Sequence, residues 1–155
     1  MAHLDVSVFI RATPERVWEV ASDLPAQESW MVDVRKLEIT SLPAGQAGEQ
    51  RSGAGTVIKV TSELFGLPLV RDTMLITTWE PPQRYEVEHS GQFTGTGAFV
   101  LEAAPGGTVF RWLEDFKPPL GPLGELGFKL LVGPQMRRVF RRSLENLRRL
   151  AEQTA

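Results

Sequence analysis

Two titratable side chains, Glu114 and His89, fall among apolar neighbours on segments that alternate like strands. In Thr108–Lys117 the residues Phe110, Trp112, Glu114 and Phe116 share one face, and Val109, Arg111, Leu113 and Asp115 share the other. The aromatic face is the one to bury. By the same rule Tyr85, Val87 and His89 turn inward from Arg84–Ser90, and Phe93, Phe99 and Leu101 turn inward from Phe93–Ala103, together with Gly95 and Gly97. Glycine at two inward positions leaves room for a ligand or a sharp bend. Burying a carboxyl group among apolar side chains disfavours its charged form unless it is paired, and such tuning suits a general acid or base. His89 could exchange protons with Glu114 or anchor the polar end of a ligand. Against this stand two plainer readings. Glu114 pairs with an arginine of a neighbouring strand or sits at a wet cavity mouth, and His89, beside Ser90-Gly91, is solvated at a strand end.

The rest of the chain must position these groups. Residues 4–11 alternate as a half-buried strand with Leu4, Val6, Val8 and Ile10 on one face. TPERVWEVASDL then predicts a short helix with Thr13 as N-cap, Pro14 at N1, and Val17, Trp18 and Ala21 on one side. A second short helix over Pro25–Val32 carries Trp30 and Met31 inward, and residues 34–40 form a strand. SLPAGQAGEQRSGAG is polar and glycine-rich without periodicity, which predicts a mobile loop. Five further strands are expected at Thr56–Glu63, Leu69–Glu80, Arg84–Ser90, Phe93–Ala103 and Thr108–Lys117, separated by turn chemistry of hairpin length. Alternation leaves the register of Leu69–Glu80, and so the direction of Trp79, open. Arg71-Asp72 reads as a cross-strand or surface pair.

After a Pro/Gly break and a short apolar helix, a long helix restarts at Gly133-Pro134. Its stripe is Met136, Val139, Phe140, Leu144, Leu147, Leu150 and Ala151; arginines with interleaved glutamates occupy the other side. One curved antiparallel sheet of seven strands and one long helix can bury their apolar faces only against each other, an α+β arrangement.

The segments ATPERVWEVASD, EPPQRYEVE and GGTVFRWLEDFKPPLGPLG…GPQMRRVFRRSLENLRRL together resemble the polyketide cyclase/dehydrase-like group of the START/Bet v 1-like (SRPBCC) superfamily, over nearly the whole chain. The resemblance implies a helix-grip: an antiparallel sheet wrapped around a long C-terminal helix, enclosing an apolar cavity. Members include aromatase/cyclases, lipid and sterol carriers and hormone receptors, so the architecture is implied more sharply than the function. The expected lining is Trp30 and Met31; Tyr85, Val87 and His89; Phe99 and Leu101; Trp112, Glu114 and Phe116; and Met136 and Phe140 from the helix. Leu144 would add to the helix floor, and the loop at 41–53 and the FGLPL turn would form the cap.

Composition bounds the function. The chain has 155 residues, 42% hydrophobic and 23% charged, with net charge -2 and no cysteine, so one domain over 1–155 is expected. The near-neutral charge offers no field for nucleic acid, and disulfides, thiolate metal sites and a cysteine nucleophile are excluded. No metal-ligand spacing, phosphate loop or serine elbow is present, GTGAF lying inside a strand, so no cofactor is implied. No apolar run is long enough for stable membrane insertion, and the cytoplasm is the default location. The leading expectation is a binder of a small hydrophobic molecule, aromatic, polyketide-like or lipid-like. The alternative is a cofactor-free cyclase/dehydratase moving protons through Glu114 and His89, and a third reading is a protein-binding module using the basic helix face or a patch at Phe9. Ligand identity and oligomeric state stay open.

Overall fold

The computed structural model describes residues 2–43 and 52–153. Seven strands form one antiparallel sheet in the order β1-β7-β6-β5-β4-β3-β2: β1 Ala2–Ile10, β2 Val34–Ser41, β3 Val57–Leu64, β4 Leu67–Glu80, β5 Arg84–Ser90, β6 Thr94–Ala104 and β7 Gly107–Lys117. Strands β2 to β7 follow one another as a meander, and β1 closes against β7 at the far edge. The helices α1 (Pro14–Ala21) and α2 (Gln27–Trp30) carry the chain from one edge of the sheet to the other.

Local chemistry explains where α1 begins. The Thr13 hydroxyl accepts the Arg16 amide at 3.2 Å and Pro14 occupies the first turn, where its missing N–H is no loss. Val17, Trp18 and Ala21 are buried. The Arg16 guanidinium donates to the carbonyls of Leu150, Ala151 and Gln153, each at 3.4 Å. It thereby caps the carbonyl end of the last helix, the end that favours a cation.

That last helix departs from expectation. Instead of a break at Gly133-Pro134, the chain stays helical from α3 (Gly121–Gly127) through a π-helical turn (Phe128–Val132) into α4 (Gly133–Glu152). The Gly133 N–H reaches back five residues to the Phe128 carbonyl, and this wider turn lets the helix pass into Pro134, which has no N–H to donate. The short apolar segment α3 buries none of its residues; Leu120, Leu123 and Leu126 are exposed, as are Leu130 and Leu131 in the π turn.

Two local features of the sheet matter for the site. A register shift between Ile76 and Thr78 brings Trp79 opposite Tyr85, so Trp79 joins the inner face and stacks on Tyr85, ring centroids 5.4 Å apart. The β3–β4 hairpin turns through Phe65 (φ 53°) and Gly66 (φ 80°), the left-handed pair that matches strand twist in a tight hairpin. The core between the sheet and α4 includes Ile10, Val17, Phe110, Leu144 and Leu147, all nearly inaccessible. Among the described residues no helix is long and apolar enough to cross a membrane.

Leu147 lies at the centre of the α4 stripe and is fully buried. Leu147→Ala is predicted to cost about 2–5 kcal/mol in denaturant unfolding, because both the buried methyl groups and the packing around them are lost.

Candidate ligand-binding site

Strand β6 lies between β5 and β7, and it is bare where its neighbours carry their polar inward groups. Gly95 is the cross-strand partner of both His89 and Phe116, and Gly97 that of both Val87 and Glu114. With no side chain in the way, the His89 ring reaches across β6 and Nε2 donates to Glu114 Oε2 at 2.9 Å. A Cβ at residue 97 would stand 2.7–2.9 Å from the Glu114 carboxyl atoms, closer than packed atoms tolerate. On its other side, His89 Nδ1 donates to Asp72 Oδ2. Glu114 Oε1 accepts the Trp112 indole N–H at 2.8 Å.

The side chains of Asp72, His89 and Glu114 are 9%, 3% and 7% exposed. Both plainer readings of the sequence therefore give way. Glu114 pairs with a histidine, not an arginine, and His89 is buried rather than solvated, because the gap in β6 holds it over the sheet. Asp72 likewise belongs to the interior. Asp72, Met74 and Ile76 share the inner face of β4, with Met74 opposite His89, so Asp72 turns onto the imidazole instead of forming a surface pair.

With a carboxylate oxygen at each ring nitrogen, the imidazole donates twice, which only its protonated form can do. Burial alone would depress the His89 pKa, but the hydrogen bonds it donates to Asp72 and Glu114, with the charges of those groups, overcome this and push it up to about 10. Nearby, Asp33 is pushed up to about 6, chiefly by burial and further by the charges of Glu114 and Glu63, against a lowering contribution from its own backbone amide.

These groups border a cavity of about 340 Å³ between the sheet and the helical segment. Tyr85, Val87, His89, Phe99, Trp112, Glu114 and Phe116 line it from the sheet, Met136 and Phe140 from α4, and Met31 from the end of α2. Trp30 and Leu101 lie in the core instead: Trp30 packs edge-on to Trp112 and beside Phe99, behind the wall. Leu144 is also core. Phe65 and Gly66 of the hairpin turn stand at the rim, whereas most of the predicted lid loop, residues 44–51, lies outside the described residues.

The cavity also takes in residues that alternation did not single out: Gln27, Asp33 and Asp72. Gln27 Nε2 donates to the Tyr85 hydroxyl at 2.6 Å and to the Ala21 carbonyl at 2.9 Å, fixing the tyrosine tip at the cavity wall. The parity of Ile76, counted back along β4, is the one signal that points to Asp72. Asp33 and Gln27 sit in a helix and a connecting segment too short to carry any periodicity.

The sign of the pH dependence follows from these shifts. His89, raised from 6.5 to about 10, contributes stability that is fully present below 6.5 and lost as pH rises through 10. Asp33, raised from 3.8 to about 6, works in a separate window. Its charge is unfavourable above 6, and the penalty is relieved as pH falls toward 3.8. Unfolding free energy is therefore predicted to fall between neutral pH and about 10 more steeply in the native protein than in His89→Gln. Equal slopes in chemical denaturation would contradict the assignment.

Comparison with known proteins places this geometry in context. A protein of Mycobacterium tuberculosis named as a toxin is 27% identical over 150 residues, covering 94% of this chain and 95% of the relative. A solved structure from Thermus thermophilus superposes with a TM-score of 0.75 at 21% identity, covering 97% of each chain. The Zhui aromatase/cyclase from Streptomyces superposes with a TM-score of 0.74 at 15% identity, covering 97% of this chain and 93% of its own. These structural likenesses bear on the fold alone, a curved antiparallel sheet gripping a long C-terminal helix. Residues 1–152 match the family described as polyketide cyclase/dehydrase and lipid transport, and to that family the chain belongs.

Proposed function

We propose that this protein binds a small hydrophobic ligand, aromatic, polyketide-like or lipid-like, in the cavity between its sheet and its C-terminal helix, with the cytoplasm as its place of work. The observation that carries the reading is the cavity itself. Its volume of about 340 Å³ falls within the range of roughly 300–1,000 Å³ typical of small-molecule sites. Its walls are mainly aromatic and aliphatic, with a few convergent polar groups, the composition that buries an apolar body and orients it. The family's description, cyclase/dehydrase and lipid transport, supports the same class of ligand.

The hydrogen-bonded pair of His89 and Glu114 in the cavity wall supports a second reading, a cyclase/dehydratase. Within that reading the geometry supports a division of roles. Both nitrogens of His89 are engaged, so the imidazole is a donor and not a free base. Glu114 would be the group that takes a proton from a substrate hydroxyl or from the carbon beside a carbonyl, and Asp72 would act only through His89.

Two measurements test these readings. Native mass spectrometry of freshly purified protein, against its denatured mass, is predicted to show a bound apolar molecule of small mass. Met136→Trp, which fills the cavity from α4, should weaken binding of that molecule at least about tenfold while the fold persists, since overpacking costs only about 1–3 kcal/mol. Retention of the ligand at full affinity would place binding elsewhere. For the enzymatic reading, Glu114→Gln should reduce turnover of a polyketide-like substrate by about 10²–10⁴-fold, the usual contribution of acid–base catalysis. Full turnover in that variant would remove Glu114 from the chemistry.

A further inference from the structure

The helical run that begins at Gly121 turns leucine outward where a core-facing helix would bury it. Segment α3 buries none of its residues, and Leu120, Leu123, Leu126, Leu130 and Leu131 are each between 52% and 80% exposed. Leu123, Leu126, Leu130, Pro134, Arg138 and Arg141 follow one another at steps of three or four, the spacing that sets residues along one side of a helix, and every one of them is exposed. Leucine thus gives way to arginine on the same face, about 12 Å along the axis from Leu130 to Arg138. Arg138, Arg141 and the adjacent Arg142 make no ion pair among the described residues, while Glu145 and Glu152 are taken up by Arg148. Val32 and Phe65, also exposed, border the cavity together with Val132, the neighbour of Leu131, so apolar surface continues from this face to the cavity rim.

A cluster of large apolar side chains standing in water marks a surface that something else covers. We propose that this face docks on an anionic lipid surface, with the leucines of α3 and the π-helical turn dipping into the acyl boundary and Arg138, Arg141 and Arg142 meeting headgroup phosphates. Interfacial binding of this kind grows with the apolar area buried and with attraction to anionic lipid, and the face supplies both. The guanidinium fork matches phosphate oxygens, and an arginine stem can lie along apolar surface while its head stays in the polar layer. The chain as a whole carries net charge -2, so the attraction comes from this local set of unpaired arginines. Among the described residues no helix is long and apolar enough to cross a membrane, and the contact is therefore peripheral. A second copy of the chain would bring leucine to leucine but no free acid for the arginines, since a twofold contact repeats the same patch. A protein partner fits less well, because the helix presents leucine where protein interfaces concentrate their binding on tryptophan and tyrosine. The docking does not depend on what the cavity holds.

The test is flotation of the full chain with two kinds of vesicle, phosphatidylcholine alone and phosphatidylcholine mixed with phosphatidylglycerol. At low salt the mixed vesicles are expected to bind at least about tenfold tighter than the neutral ones, and the difference should shrink as salt is raised. Leu123→Ser combined with Leu130→Ser should weaken binding to the mixed vesicles at least about tenfold, through the apolar area lost. Arg138→Glu combined with Arg141→Glu should weaken it at least about twentyfold, at about fivefold for each basic residue near an anionic surface. All four side chains are exposed, and the comparison of vesicles with the native protein stands whether or not the variants fold. Equal binding to both vesicles overturns the proposal, as does undiminished binding in either double variant. Binding to neither vesicle overturns it in favour of a protein partner. A dimer of the native chain that Leu123→Ser with Leu130→Ser dissociates would give the face to a second copy and overturn it too.

Discussion

The absence of side chains at two positions of one strand is the constraint on which the rest of this structure depends. Gly95 and Gly97 open a gap in the inner face of β6, and across it the polar groups of β4, β5 and β7 meet as Asp72, His89, Glu114 and Trp112. A side chain at 97 would collide with the Glu114 carboxyl. At 95 the backbone sits at φ 147°, and a Cβ would come within 1.8 Å of the Asp115 carbonyl. The gap thus makes room for two things at once, a buried charge relay and part of an open cavity. Such a relay is a poor explanation of stability. Buried ion pairs often do no better than apolar side chains of the same volume, although removing one member alone leaves an uncompensated charge and is strongly destabilising. What it does provide is a fixed polar feature in an apolar wall.

The helical side completes the arrangement. Phe140 of α4 lies flat on Trp112 of β7, ring centroids 3.9 Å apart and planes 5° from parallel. The same Trp112 donates to Glu114. One indole therefore ties the helix to the sheet by its face and to the charged cluster by its edge, a combination that aromatic residues with a polar handle allow. On one side of this contact the interior is packed by Phe99, Phe110 and Trp30. On the other it opens into the cavity, so the packed core and the open space share a wall.

Much of this was legible in the sequence, and the parts that were not have identifiable causes. Strict alternation in β5 and β7 gave the inner faces, including the glycine positions of β6, since a half-buried strand cannot shift by one residue without exposing its apolar set. β4 resisted the same treatment because Leu69 and Leu75 on one parity compete with Val70, Met74 and Ile76 on the other, and a bulge then moves Trp79 to the inner face. Asp72 was hidden by that ambiguity. His89 lies two strands from Glu114, and its burial depended on the missing side chains of the strand between them, which no local pattern reports. The long helix read as restarting at Gly133-Pro134 because proline fits a first turn, where its missing donor does no harm, while a π-helical turn carries the preceding helix straight into it. Asp33 and Gln27 lie in segments with no period, and the cavity reaches them only through the tertiary path of α2.

The central claim is that His89 is a buried imidazolium donating to two carboxylates in the cavity wall. Nitrogen-detected NMR of the His89 ring, titrated from neutral pH upward, tests it directly. The account predicts that both ring nitrogens carry protons at neutral pH and that they titrate only as pH approaches about 10. A single protonated nitrogen at neutral pH, titrating near the ordinary value of 6.5, would contradict it.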